Sequence, residues 1–294
     1  MKSFVKYCAM ILLWMLGALL VWHVFFINYW SLLNVLSPRT WIWGDSQMVQ
    51  GIDPEVLSLH KDAYSNARHG NGYYDLVSFA NRLPSGSDAL IGIGPLYYRY
   101  SQDRSQAGFQ LDAIRSLYEV YQSDAYEVDF KTVLRNNILY EFSPSNFNSN
   151  GHGRYPNKVD SAKRQVYISK ILEVIHHNSF DALFDHKDRW LRHSIEEMMD
   201  KAGRFTLVSF PVCEQLSDTD FMTIQEHYDE TLVRISEEFE LPLDTLHVEV
   251  MQDPFYDATH FSDHAVCQAS EAVRKSLNEN EESGLLVISF NHIR

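Results

Sequence analysis

Ser46 stands in Gly44-Asp45-Ser46-Gln47, directly after the apolar run Trp41-Ile42-Trp43, and far downstream Asp257 and His260 stand three apart in Asp257-Ala258-Thr259-His260. A serine hydroxyl is a poor nucleophile until an imidazole takes its proton, and a carboxylate must fix the imidazole's tautomer and stabilise its charged form. Serine, histidine and aspartate together make a hydrolytic triad. A serine placed where a strand passes into a helix has its oxygen exposed, with backbone N–H groups and the helix dipole facing a developing oxyanion. An aspartate and a histidine in one short turn can be presented to a single pocket. Each motif alone has a plainer reading. Asp45 is then the N-cap of an ordinary strand-to-helix turn, and the Asp257/His260 turn simply caps the helix after it. Their order and context favour the triad.

Placing these residues requires a strand-helix alternation, and the hydrophobic pattern supplies one. Residues 40–43 read as a first strand, 56–59 as a short second element, 74–82 as a helix and 89–93 as a strand. Residues 205–210 read as the next core strand. An amphipathic helix is expected over 218–240, where Phe221, Ile224, Tyr228, Leu232 and Ile235 recur at helical spacing with acids between them. A strand over 246–251 would feed the Asp257/His260 loop, a helix over 261–278 would close the domain, and 284–290 reads as a late strand. This predicts an α/β fold with a doubly wound, mostly parallel sheet. The turns that end its strands, Gly44-Asp45 and Gly94-Pro95, lie along the edge where open α/β sheets bind ligands.

The middle of the chain has a different character. Residues 109–140 carry apolar and aromatic side chains in helical periods, and 142–157 form a stretch rich in Ser, Asn, Gly and Pro that suits a lid or surface loop. Residues 161–202 read as a helical pair broken near Asn178-Ser179. The whole of about 109–203 is expected as a helical insertion, either bordering the active-site edge and setting selectivity or merely covering the sheet.

With these pieces in place the chain resembles the SGNH (GDSL-like) hydrolases, and more closely their membrane-anchored bacterial branch of DltD-like and alginate O-acetylation-type proteins. The likeness rests on the early Gly44-Asp45-Ser46-Gln47 and the late Asp257-Ala258-Thr259-His260 ahead of the last long helix. Gly51-Ile52-Asp53-Pro54, Tyr64-Ser65-Asn66-Ala67, Ile91-Gly92-Ile93-Gly94-Pro95 and the 205–211 strand support it. It covers roughly residues 40–100 and 204–280. The resemblance implies a flavodoxin-like three-layer sandwich, Ser46 as nucleophile, His260 as base and Asp257 as orienting acid. Ser46 and Gly70, in Asn66-Ala67-Arg68-His69-Gly70-Asn71-Gly72, would lend N–H groups to the oxyanion, with Gly72 competing for the second place. The third-block asparagine of the family pattern is missing, because the strand ends in Gly94-Pro95-Leu96-Tyr97. Either Ser46 and a glycine suffice, another polar side chain substitutes, or activity has been lost.

The N-terminus sets the compartment. Residues 8–29 contain no Asp, Glu, Lys or Arg, and 22 residues at about 1.5 Å each span roughly 33 Å, enough for the hydrocarbon core of a bilayer. Lys2 and Lys6 precede the run, and only Arg39 follows closely. The positive-inside tendency then places residues 1–7 in the cytoplasm, 8–29 in the membrane and, after a linker over 30–39, an α/β domain over 40–294 outside. A cleaved signal peptide is the alternative, but the run is long for one and Phe25-Phe26-Ile27-Asn28-Tyr29-Trp30 offers no small-x-small site. The expected location is the bacterial inner membrane, single-pass, with the C-terminal domain in the periplasm.

Formal net charge is −14, and removing the three basic residues before Gly44 leaves −17 on the exported part. Such a domain repels nucleic acid and anionic lipid; the acidity serves solubility, with an acidic groove for a neutral or cationic glycan as a further reading. Cys213 and Cys267 would lie near the carboxyl edge of the sheet, as a disulfide or as two buried thiols. Among thirteen histidines, His260 and His264 with Asp257 resemble a zinc half-site, but no third strong ligand accompanies them. No metal or organic cofactor is expected. Tyr97 and Arg99, with Arg68 and His69 beside Gly70, are candidate substrate contacts, since sugars pack on aromatic faces and Arg holds acidic groups.

The resemblance implies an O-acyltransferase or esterase acting on acyl, commonly acetyl, groups of an envelope or exported polysaccharide. A membrane-bound O-acyltransferase is the implied partner. The alternative is a catalytically inactive, membrane-tethered assembly or glycan-binding protein that kept the fold.

Overall fold

The computed structural model describes residues 2–22, 39–58, 62–65, 76, 79–80, 83–98, 161–176, 181–216, 219–250, 252–279 and 282–290. The chain divides into two compact units, Met1–Ser37 and Pro38–Arg294. In the first, helix α1 occupies Lys2–Trp22 as one unbroken 21-residue element. Its described side chains run from Phe4 to Ala18 and are exposed on every face, including Phe4, Met10, Leu13, Trp14 and Leu16. Counted over the described residues alone, no helix is long and apolar enough to cross a membrane.

The second unit is built on a six-stranded, all-parallel sheet flanked by helices, in the order β2-β1-β3-β4-β6-β5. Its strands are β1 (Thr40–Gly44), β2 (Ala63–Ser65), β3 (Asp88–Ile93), β4 (Arg204–Ser209), β5 (Leu243–Val248) and β6 (Gly284–Phe290). Strands β1, β3 and β4 are buried along almost their whole length, because helices cover both faces of a parallel sheet. That is why each reads as a continuous apolar run rather than an alternation. Strand β5 lies at an edge and alternates between exposed and half-buried positions until Val248. It pairs with β6 from Leu243 to Val248, three residues earlier than expected, because polar Asp244, Thr245 and His247 sit on an edge that the sheet accepts. The short element expected over 56–59 is the helical turn α3 (Pro54–Leu57), and the second strand falls at β2.

The other helices are α2 (Ser46–Gly51), α4 (Ser161–His176), α5 (Asp181–Met199), α6 (Thr219–Glu238) and α7 (Asp263–Glu279). Helix α7 packs on α2, α3 and β5, and α6 packs on α4 and α5. A hydrogen bond from Asp53 N–H to Ser270 Oγ, 2.8 Å, fixes α7 against the α2–α3 turn. Of the helix expected over 74–82, Leu76, Phe79 and Ala80 are described and are helical and buried. Helices α4 and α5 fill the later part of the expected insertion; residues 99–160, with the expected lid loop, lie outside the described residues.

The chain leaves β1 for β2 on one side and returns to β3 on the other, so β1 and β3 flank a topological switch point. Register keeps the carboxyl ends level there, with Gly44 opposite Gly92 and Ile93 opposite Ser209. The two glycines let α2 come down onto the sheet. A Cβ at Gly44 would overlap Gly92 O and Met48 Cβ, and one at Gly92 would overlap Met48 Sδ. Met48 is fully buried in the notch they leave. This close approach holds the first turn of α2 over the end of β1.

Candidate active site

Ser46 is the first residue of α2, and the turn leading into it is capped by Asp45, whose Oδ1 accepts from Gln47 N–H at 2.8 Å. The first helical bond runs from Val49 N–H to Asp45 O, 3.1 Å. The plain capping role of Asp45 and the placement of Ser46 at the switch point are therefore the same structural fact.

The second arm is a small hairpin. After β5 the chain crosses the end of β6, forms an antiparallel bridge between Phe255 and Phe261, and closes with Tyr256 N–H to His260 O (2.7 Å) and Ser262 N–H to Pro254 O (2.8 Å). Aromatic packing fixes where it lands. The Phe261 ring lies 4.9 Å from Phe290 at the end of β6, 5.6 Å from Phe255 and 5.8 Å from Phe210 at the end of β4, measured between ring centres. Cys213 N–H donates to Ala258 O at 3.0 Å, tying the hairpin tip to the segment after β4.

Within the tip, Asp257 uses both oxygens. Oδ1 accepts from the N–H groups of Thr259 and His260, each at 2.9 Å, and Oδ2 lies 2.7 Å from His260 Nδ1. Burial of the carboxyl pushes its pKa up, but the ring hydrogen bond and charge of His260, with the two backbone N–H groups, outweigh it and hold Asp257 below the usual carboxylate value. An ionised carboxylate only accepts, so Nδ1 carries the shared proton and Nε2 is the nitrogen available to act as a base. Nε2 is itself buried. Asp257 and His260 are thus a preassembled, hydrogen-bonded pair, on side chains 13% and 5% exposed.

Gln47 joins the two arms. It is 2% exposed, and its Nε2 donates to Thr259 O at 3.3 Å and to Pro211 O at 3.4 Å. The residue after Ser46 is therefore bonded to the residue before His260. Its Oε1 lies against Gly94, where a Cβ would overlap it and would stand 2.9 Å from Gln47 Cδ. The space there belongs to Gln47.

Helix α4 packs on the hairpin and on the His260 ring from the other side. Arg164, 5% exposed, donates to Asp253 Oδ2 and to Phe255 O, gripping the hairpin at its root. One turn on, the Tyr167 ring centre lies 6.0 Å from that of His260. Behind the site, the buried Tyr228 hydroxyl bonds Ile93 O and Ser209 Oγ, linking the ends of β3 and β4. Desolvation raises its pKa, so it stays a neutral hydroxyl.

Gln47, Arg164 and Tyr167 were not expected as site residues. Gln47 sits in the motif itself but shows no pattern of its own, and Arg164 and Tyr167 reach the site only through the docking of a helix some 90 residues away in sequence. Of the other expected contacts, Arg68, His69, Gly70 and Arg99 lie outside the described residues, and Tyr97 is placed by its backbone in a 3₁₀ turn, Pro95–Tyr98, just after β3. His264 is exposed and bonds the Gln268 side chain at 3.2 Å. Among the described residues no three His, Cys, Asp or Glu side chains converge as a metal site. Cys213 is a buried free thiol, its pKa raised by desolvation, and Cys267 is free and exposed.

No family model matches the chain, and no curated protein is detectably similar to it.

Proposed function

We propose that the chain is a membrane-anchored SGNH-type serine acyltransferase or esterase acting on O-acyl groups, commonly acetyl, of an envelope or exported polysaccharide. The observation that carries this reading is the Asp257–His260 pair at 2.7 Å, whose loop is bonded through Gln47 to the turn bearing Ser46. A turn that merely capped α7 would have no need of a buried imidazole oriented by an ionised carboxylate. The alternative of an inactive tethered binding protein leaves that pair without a task.

In the proposed reaction, His260 Nε2 takes the Ser46 Oγ proton as Oγ bonds to the acyl carbon of a donor ester. The donor's carbon–oxygen bond then breaks, and the imidazolium returns the proton to the departing alkoxide. A sugar hydroxyl, or water in an esterase, gives its proton to His260 while attacking the Ser46 ester. Ser46 leaves, reprotonated. The N–H of Ser46 is one oxyanion donor in this reading, and Gly70 the other. Resemblance to the anchored branch favours transfer over hydrolysis, and a membrane-bound O-acyltransferase is the partner that would supply acyl groups.

Residues 8–29 are proposed as the single-pass anchor in the bacterial inner membrane, with the α/β unit in the periplasm. A helix apolar on all faces fits a lipid surround.

Fluorophosphonate labelling of the full chain tests the chemistry. Modification at Ser46, abolished in Ser46→Ala and strongly reduced in His260→Ala, is expected. A folded wild-type protein that takes up no label would make the chain a tethered assembly or glycan-binding protein instead.

A further inference from the structure

We infer that Gln47 is a positioning residue of the acyl-transfer site, setting the Ser46 hydroxyl against His260 by clamping the loops at the carboxyl ends of β1, β3 and β4 to the hairpin tip. The inference rests on the serine-enzyme reading above. Three observations carry it.

The first is connectivity. A single side-chain amide bonds Pro211 O after β4 and Thr259 O beside the base, while its own backbone N–H is held by the Asp45 cap. Movement of the nucleophile turn relative to the base therefore breaks bonds to both loops.

The second is steric. Gly94 admits the amide only because it lacks a side chain, so the end of β3 is shaped around Gln47. The third is energetic. Among the described residues, the buried Oε1 has no hydrogen-bond partner. An unsatisfied buried acceptor is unfavourable, and what the amide gives in return is its pair of bonds to Pro211 O and Thr259 O. A residue that is locally unfavourable yet bridges the two halves of a triad fits a role in alignment rather than in packing. Its Nε2 lies within hydrogen-bond reach of two carbonyl oxygens, at 3.3 and 3.4 Å, which fits a clamp rather than an oxyanion donor.

The test is the second-order rate of Ser46 labelling by a fluorophosphonate on the full-length protein, followed by mass spectrometry, in Gln47→Ala, Gln47→Met, Gly94→Ala and the Gln47→Ala/Gly94→Ala double variant. Misplacement of reacting groups by about 1 Å costs up to roughly 100-fold. Gln47→Ala and Gln47→Met are expected to label about 10- to 100-fold more slowly, with the rise of rate with pH that an imidazole base imposes flattened. A loss of folded protein would lower the whole profile without changing its shape.

Gly94→Ala is expected to slow labelling by displacing the amide, and to have no further effect once Gln47 is alanine. The assignment is overturned if Gln47→Met labels like wild type with an unchanged pH profile, or if the two single effects multiply in the double variant. Should one variant fail to fold, the other position still decides. An unlabelled wild type overturns the serine-enzyme reading and this assignment with it, whereas a labelled wild type with indifferent Gln47 variants overturns this assignment alone.

Discussion

Asp257 accepts from the ring and from two backbone N–H groups, so it both holds the shape of the tip and fixes the imidazole tautomer. Replacing it by Asn keeps the size but lets the amide donate, which favours the wrong His260 tautomer. Fluorophosphonate labelling of Asp257→Asn should fall by the order of 10⁴-fold, the scale set by the equivalent change in other triads, while far-ultraviolet circular dichroism stays unchanged. Its titration carries a second expectation. Because the folded pKa is depressed, the carboxylate adds stability that is fully present above the unfolded value of about 3.9 and is lost as pH falls through the lower folded value. The urea midpoint of wild type should therefore drop over that acid window more than that of Asp257→Asn. Equal drops would mean that the carboxylate is no more stabilised in the folded protein than in the unfolded chain.

Between the residue and the domain stands the 253–262 hairpin, which hangs from a polar root and an aromatic seat. Arg164 supplies the root, bonding Asp253 and Phe255 O from within α4. Arg164→Met leaves a buried carbonyl without its donor and should cost about 1–3 kcal/mol, read as a lowered urea midpoint. Labelling at Ser46 should slow along with it, because the base rides on the loosened element. Stability lost without any change in labelling would show that α4 merely covers the sheet, the other reading of the insertion. The contrast between α4 and the strands shows what sequence carries. Trp41-Ile42-Trp43, Leu90-Ile91 and Leu207-Val208 announce central parallel strands because burial on both faces demands continuous apolar runs. The Asp257/His260 turn is equally legible, being local. By contrast, β5 was displaced by three residues because an edge strand tolerates polar side chains, and nothing local marks β6 as lying between β4 and β5. The bonds of Gln47 and Arg164 exist only after distant segments have met, so no spacing rule could reveal them.

For the whole molecule the question is where such a site works. The α/β unit carries the chain's acidic excess, and α1 carries apolar side chains on every face behind Lys2 and Lys6. In water that helix would expose a continuous apolar surface; in a bilayer, as proposed, the same surface would be solvated, its backbone bonds satisfied internally and its lysines left on the cytoplasmic side. With α1 as the proposed anchor, the acidic charge of the α/β unit would repel anionic headgroups, in keeping with the proposed work on a polymer beyond the membrane. Arginine at the middle of a span costs about 2.5–3.5 kcal/mol on insertion scales, so two of them offset much of what holds a single helix in place. Wild-type protein should stay with the membrane pellet through alkaline carbonate extraction, and Leu13→Arg/Leu16→Arg should move it into the supernatant. Protease added to spheroplasts should digest the α/β unit while sparing the short N-terminus. Carbonate release of the wild type would reduce α1 to a peripheral helix, and protection of the α/β unit from outside would reverse the orientation, moving the acyl chemistry to the cytoplasmic face.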